Sequence, residues 1–307
     1  MKHYRKIIHS LRGRIQSLFR FLIRCINTLY ELKICSQQNI MLNSWVEYRF
    51  GKLKQRNWGD ELNIHLIEHL TKKKVFNRSD VFRPKEINYT IIGSLIPDAI
   101  NAYTIIWGAG ATKSDIIISS RPIKVCAVRG KLTRKLLLSN GIDCPEIYGD
   151  PALLLPLICP KKKKKIYKLG LICHIDDENN PNYRKFSVKY PDEILQISLH
   201  DYGDWSRVID QICSCEIIAS SSLHGIIVAD AYGIPNIWLK SHVNLYGGDF
   251  KFMDYFSGVN RQPPIPVILT EDEILDNLLM KAADYIPIKY DHQPLLQVCP
   301  FKISIPK

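Results

Sequence analysis

The sequence predicts an α/β protein with mostly parallel, doubly wound sheets in two successive segments. Three observations carry this. Short apolar runs at residues 89–93, 104–108, 124–128 and 217–219 are too brief for helices and suit strands buried on both faces. Turns and helical patterns alternate with them, as at 129–141 and 220–233, which is the signature of parallel crossover units. A stretch rich in proline and lysine, 156–165, interrupts the alternation, and a second strand–helix series starts at about residue 168.

The clearest unit spans residues 216–240. Residues 217–219 read as a strand, and Ser220, Ser221 and Ser222 can satisfy open N–H groups at a helix start. Leu223, Ile226, Ile227, Ala229 and Ala231 suit a packed helix, which Gly233 stops and Pro235 prevents from resuming; residues 236–239 are the next strand. Parallel strands share one carboxyl edge, where open α/β sheets bind ligands. His224 in the first turn of the helix and Lys240 at the following strand end therefore bring an imidazole, a cation and a helix N-terminus to one edge, a setting for an anion.

Taken in order, residues 4–30 carry a helical apolar stripe interrupted by arginines. Residues 1–35 hold eight Lys or Arg against the single acid Glu31. No charge-free run approaches the ~20 residues a bilayer span needs, and no small-residue cleavage site follows the stripe. The segment reads either as an interfacial helix on an acidic membrane or as a helix packed on protein. Residues 45–50 read as a first strand, followed by a turn and a helix that opens at Asn57-Trp58-Gly59-Asp60. Gly59 there permits close backbone approach, and Asp60 is either an N-cap or a functional acid. Arg129 follows the 124–128 strand at a helix N-terminus, a poor place for a cation unless it holds an anion. Asp150 follows a further strand at 146–148. Beyond 240, a loop rich in glycine and aromatics leads to a helix at 271–283, capped by Thr270, and an irregular tail over 287–307 containing four prolines.

Composition bounds the function. The 307 residues are 46% hydrophobic and 23% charged, as in a soluble globular protein of two ordinary domains. The net charge of +12 is concentrated in the N-terminal segment and in the lysine run 161–165. It suits acidic lipid or an anionic substrate; no zinc-finger, RRM-like or KH-like signature accompanies it, so nucleic acid is not expected as a partner. Nine scattered cysteines without a C-x-x-C pair indicate a reducing cytoplasm and neither a disulfide framework nor a metal site. Gly108-Ala109-Gly110-Ala111 lacks the third glycine and the distal acid of a dinucleotide fingerprint.

Four segments now stand in order: Asn57-Trp58-Gly59-Asp60, Arg129-Gly130-Lys131-Leu132-Thr133-Arg134, Gly149-Asp150-Pro151-Ala152-Leu153-Leu154, and Ser221-Ser222-Leu223-His224-Gly225 with Asp230-Ala231-Tyr232-Gly233-Ile234-Pro235. Together they resemble the polysaccharide pyruvyl transferase family. The resemblance implies two Rossmann-like domains facing across a cleft, GT-B-like: 45–157 on the acceptor side and 166–286 on the donor side, joined by a linker at 158–165. It implies transfer of pyruvate from phosphoenolpyruvate, as co-substrate and without a cofactor, onto a sugar of a bacterial surface polysaccharide or exopolysaccharide, lipid-linked or free, as a cyclic ketal. Carried over residue by residue, Arg129, Ser222, Leu223, His224 and Lys240 would bind the donor, and Asn57, Gly59, Asp60 and Asp150 the acceptor. His224 and Asp60 would do the acid–base work. The chain would then be cytoplasmic, peripheral to the inner face of the cell membrane. The competing classes are a GT-B glycosyltransferase using a nucleotide-sugar and a non-enzymatic carbohydrate-binding or assembly protein, since fold alone does not fix chemistry.

Overall fold

The computed structural model describes residues 17–29, 39–49, 52–55, 57–81, 85–161 and 164–304. Residues 17–29 form helix α1. The remainder of the basic N-terminal segment, 1–16 and 30–35, lies outside the described residues. Ile23 of α1 is buried, Arg24 Nη2 donates to Val81 O (3.0 Å) and Asn27 Nδ2 to Asp80 O (3.1 Å), so one face of α1 packs on the chain. Leu18, Phe19, Phe21, Leu22, Ile26 and Leu29 remain exposed. Among the described residues no helix is long and apolar enough to cross a membrane.

The first sheet is parallel and is built from β1 (Ile40–Asn43), β4 (Val75–Asn77), β5 (Asn88–Thr90), β7 (Thr104–Trp107) and β9 (Lys124–Ala127), in the spatial order β4-β1-β5-β7-β9. The opening strand is a correction to the sequence reading. It is the fully buried Ile-Met-Leu-Asn run of β1 and not residues 45–50; Glu47–Arg49 (β2) instead pairs antiparallel with Lys52–Gln55 (β3) as a hairpin beside the sheet. β1 suits the centre because even its polar end is matched: Asn43 Nδ2 donates to Asn88 Oδ1 (2.8 Å) and Thr90 Oγ1 (3.0 Å) on the neighbouring strand. Helix α2 (Trp58–Thr71) connects β1 and its hairpin to β4. Two short parallel strands, β6 (Ser94–Ile96) and β8 (Gly110–Ala111), extend the strand ends after β5 and β7. Residues 146–148 make only a single bridge, Val128 with Tyr148, where a full strand was expected. Helix α3 (Lys131–Ser139) follows β9, and α4 (Leu155–Ile158) precedes the lysine run. That run is docked as well as solvated: Lys161 pairs with Asp210 (3.0 Å), and Lys165 Nζ donates to the carbonyls of Cys213 and Cys215.

The second sheet is also parallel and is built from β10 (Tyr167–Ile172), β11 (Ile194–Ile197), β12 (Cys215–Ser220) and β13 (Asn236–Trp238), in the spatial order β11-β10-β12-β13. Its crossovers are α5 (Pro181–Lys189), α6 (Trp205–Cys213) and α7 (Leu223–Ala231). After β13 come α8 (Phe250–Gly258), α9 (Leu275–Ala283) and α10 (Gln293–Gln297). α9 begins with Ile274 at its cap, four residues beyond the expected Thr270. The tail is not wholly irregular. α10 and the residues after it pack on the first sheet, with Trp107 Nε1 donating to Leu295 O (2.9 Å) and the Phe301 ring 4.5 Å from Tyr89.

One hydrophobic core, holding Leu42, Trp58 and Trp107 together with Ile218, Ile226 and Phe252, joins the two sheets. In each sheet the strand order reverses once. β1 lies between β4 and β5, and β10 lies between β11 and β12, so crossovers leave to opposite sides at β1/β5 and at β10/β12. Those two points are where side chains at strand ends can surround a ligand without a crossover loop covering it.

Candidate active site

The residues after those reversal points meet. A cavity of about 200 Å³ is lined by Asn57 and Asp60 at the start of α2, Gly93 and Ser94 after β5, His174 and Asp176 after β10, and Ser222, Leu223 and His224 after β12. Lys251, the second residue of α8, adds a cation to the lining, which also holds Thr112 and Tyr246.

The local geometry explains each placement. Asn57 is the N-cap of α2, its Oδ1 accepting from Gly59 N at 3.2 Å. The N-cap is therefore Asn57 and not Asp60, which lines the cavity. Asn63, one turn on, donates to Asp60 O (3.1 Å) and Ile92 O (3.0 Å) and accepts from Ile92 N (2.8 Å), tying the 92–94 loop to α2 beside Asp60. Gly59 is required by close approach: a Cβ there would stand 1.9 Å from His224 Nδ1. The imidazole of α7 thus lies against the backbone of α2, and any side chain at 59 would push the two apart. Ser221 Oγ accepts from His174 N (2.9 Å), which links the loop ends after β12 and β10.

Of the ionisable groups that line this small space, four have displaced proton affinities. Burial pushes the Asp60 carboxyl up to about 7, opposed by the charge of Lys251. His224 is held down to about 3 by burial and then by the charges of Lys251 and Arg129. His174 falls to about 4 for the same first two reasons, burial and Lys251. Lys251 itself drops to about 8 through burial and the neighbouring Arg129. At neutral pH both imidazoles are therefore neutral, Lys251 carries its charge, and Asp60 retains a proton far more readily than an ordinary carboxyl. Lys251 Nζ lies 3.1 Å from His174 Nε2, and His174 Nδ1 faces the backbone N–H of Asp176 at 3.3 Å. His224 Nε2 and Thr112 Oγ1, both in the lining, are buried with no hydrogen-bond partner among the described residues. The start of α7 carries no side-chain cap bond at Ser222. Unpartnered donors at a helix N-terminus next to a lysine are the groups that suit an anion. Among the described residues no group of three or more His, Cys, Asp or Glu is placed to hold a metal ion.

Three sequence-predicted residues lie elsewhere. Arg129 is fully buried behind the cavity: its Nε donates to Asp254 Oδ2 (2.9 Å), Nη1 to Ser94 Oγ (2.8 Å) and Nη2 to Ala111 O (2.9 Å). The expectation that a cation at this helix start must hold an anion is met from within the chain. The anion is the Asp254 carboxylate of α8, which also accepts from Thr133 N (2.8 Å) and Thr133 Oγ1 (2.7 Å) at the N-terminus of α3. Lys240 is paired with Asp249 and is not in the lining. Asp150 is buried and caps the turn at Pro151, accepting from Ala152 N at 3.0 Å. For Arg129 and Lys240 the cause is strand order: β9 and β13 are edge strands, so residues that follow them stand away from the reversal points. Asp150 follows the 146–148 segment, which bridges β9 on its outer side and lies farther still from them. Lys251 and His174 were missed by sequence reading. His174 lies inside the 168–175 run that reads as a strand, but β10 ends at Ile172, which leaves His174 just past the strand end; nothing local marks Lys251.

The charge state has a measurable cost. The folded chain holds the Asp60 proton more tightly than the unfolded one, so this carboxyl costs nothing below about pH 4 and its full penalty above about pH 7. Asp60→Asn is expected to raise Tm at pH 8, by an amount of the order of 2–4 kcal/mol in stability. The gain should shrink as pH falls from 7 towards 4. Thermal unfolding of the two proteins across that range checks it, and a gain that does not depend on pH would show that Asp60 is ordinarily ionised in the fold.

Fold and site together define an α/β protein with a small polar cavity lined from the ends of two parallel sheets. Residues 38–242, about two thirds of the chain, match the polysaccharide pyruvyl transferase family. The chain belongs to that family. It is also 33% identical over 223 residues to an uncharacterized protein of Acanthamoeba polyphaga mimivirus, an alignment covering 68% of this chain and 74% of the viral protein.

Proposed function

We propose that this protein transfers pyruvate from phosphoenolpyruvate onto a saccharide as a cyclic ketal, releasing phosphate. The carrying observation is the convergence of Asp60, His174, His224 and Lys251 around one cavity of about 200 Å³. Such a space matches a three-carbon phosphate ester. It is small against the ~300–1,000 Å³ of ordinary ligand pockets, and a nucleotide-sugar would need more. In this reading the two sheets are the cores of two Rossmann-like domains facing across a cleft, GT-B-like, with the donor between them.

The roles follow from charge. Lys251, His174 and the open N–H groups of α7 hold the phosphate and carboxylate of the donor; an incoming dianion favours the protonated form of every group around it. Asp60, which already retains a proton near neutrality, gives it to the methylene carbon C3, and C2 becomes electrophilic. A sugar hydroxyl adds to C2 and its proton passes to His224, whose neutral imidazole gains proton affinity from the bound donor dianion. The bond between C2 and the phosphate oxygen then breaks, with His224 returning its proton to the departing phosphate. A second hydroxyl closes the ketal at C2 and reprotonates Asp60. Two hydroxyl protons are thus lost, one to C3 and one to phosphate. A carboxyl and an imidazole with proton affinities moved in opposite directions divide the acid and base work between them.

His224→Gln is expected to lower turnover by about 10²–10⁴. The assay is phosphate release that requires both phosphoenolpyruvate and an acceptor sugar. Near-normal turnover by folded His224→Gln protein would refute the proton-transfer role. Turnover of UDP-sugars without phosphoenolpyruvate would replace the whole reading by glycosyl transfer.

A further inference from the structure

A second cavity, of about 500 Å³, adjoins the first at the carboxyl ends of β1 and β4. Trp45 belongs to the lining of both cavities, and the chain passes directly from Ser94 in one to Leu95 in the other. Trp45 is 57% exposed, an unusual state for a tryptophan in a groove and one that leaves its indole face available.

The polar lining is weighted towards cations. Arg20 and Arg24 reach it from α1 and Arg78 from the end of β4, against the two acids Asp80 and Asp98. The Arg78 guanidinium is held below its usual basicity, first by burial and then by the charge of Arg24, as expected of like charges kept close together. Its Nε is buried without a hydrogen-bond partner among the described residues, and so is Ser44 Oγ in the same lining. A fold that gathers guanidinium groups and leaves buried polar atoms unpartnered is prepared for an external acceptor.

We infer that this cavity binds the acceptor, and that the acceptor is a saccharide bearing an anionic substituent, a carboxylate or a phosphate. The apolar face of a sugar ring would lie on Trp45, its anionic group at Arg20, Arg24 and Arg78, and its hydroxyl pair would be presented past Trp45 to the donor cavity. Aromatic faces and planar guanidinium forks are the side chains that recognise those two features. The assignment rests on the proposed transfer and gives its second substrate a chemical class.

The test is binding, measured by calorimetry on the full chain without phosphoenolpyruvate, so that it does not depend on turnover. The probes are galactose, galacturonate and galactose 1-phosphate. The acidic sugars are expected to bind at least tenfold more tightly than galactose, and whichever of the two is tighter identifies carboxylate or phosphate as the anion. Arg78→Ala and Arg20→Ala should each erase most of that preference; Arg20 is exposed, so its loss is not expected to disturb folding. Trp45→Ala should weaken all three sugars about fivefold or more. Lys251→Met, in the other cavity, should leave the preference intact. The inference is overturned if neither acidic sugar binds, if acidic and neutral sugars bind alike, or if the preference survives both arginine substitutions or disappears with Lys251→Met. A preference that behaves as stated while phosphoenolpyruvate is never consumed would instead sink the pyruvyl transfer and leave an anionic-saccharide site.

Discussion

Lys251→Met is expected to reduce phosphoenolpyruvate-dependent phosphate release by about 10²–10³, the usual effect of removing one electrostatic contact to developing charge in a closed site. Donor affinity should fall as well, because Lys251 is the one ammonium in the cavity lining among the described residues. A second readout separates this role from general damage. The charge of Lys251 holds down both His174 and His224, after the effect of burial. Removing it should let both imidazoles titrate closer to their ordinary range, seen as a shift in their ring-proton NMR titration towards higher pH. The Lys251→Arg variant, which restores a cation, should return the titrations towards their starting point. Histidine titrations unmoved by Lys251→Met would mean that the lysine does not face the imidazoles in solution, and the proposed phosphate receptor would fall with it.

Asp254→Ala is expected to cost about 3–5 kcal/mol of stability and roughly 10 °C in Tm. Arg129 and Asp254 are both fully buried, and truncating one leaves the other as an uncompensated charge in the core. The pair has a second consequence. Asp254 lies one turn from Lys251 on α8, so the carboxylate that satisfies Arg129 also fixes where the lysine enters the cavity. Contact there is close enough that a Cβ on Gly130 would stand 1.7 Å from Asp254 O. Arg129→Lys should behave similarly in kind, because an ammonium cannot reach Asp254, Ser94 and Ala111 together as the guanidinium does. Under a direct donor-binding role Arg129→Lys would lose phosphoenolpyruvate affinity at unchanged Tm. Under a positioning role Tm falls, and the affinity of the folded fraction falls because Lys251 is displaced. Measuring both for one variant decides between them.

The sequence by itself determined the alternation of strands and helices, the restart of that alternation after the lysine run, and the segments that close on the cavity. Those are local properties: apolar run length, a glycine where backbones touch, serines at a helix start. Asn57, Asp60, Ser222, Leu223 and His224 could be read from such patterns, and all five line the cavity. Reading β1 was harder, since Ile40–Asn43 is four residues without alternation, whereas the alternating 45–50 stretch looked the better strand and serves in a hairpin outside the sheet. Strand order is a different kind of fact. It depends on which side of a sheet each crossover packs, a choice made by burial over the whole core and written in no single segment. That choice set β9 and β13 at sheet edges, so Arg129 and Lys240, each a reasonable strand-end candidate, stand away from the points where the order reverses. It also let α8 return across the first sheet, bringing Lys251 into the cavity and Asp254 to Arg129. Whether a strand-end cation meets a ligand or a carboxylate of its own chain is decided only when distant segments pack, because the energy that discriminates the two comes from burial and not from local propensity.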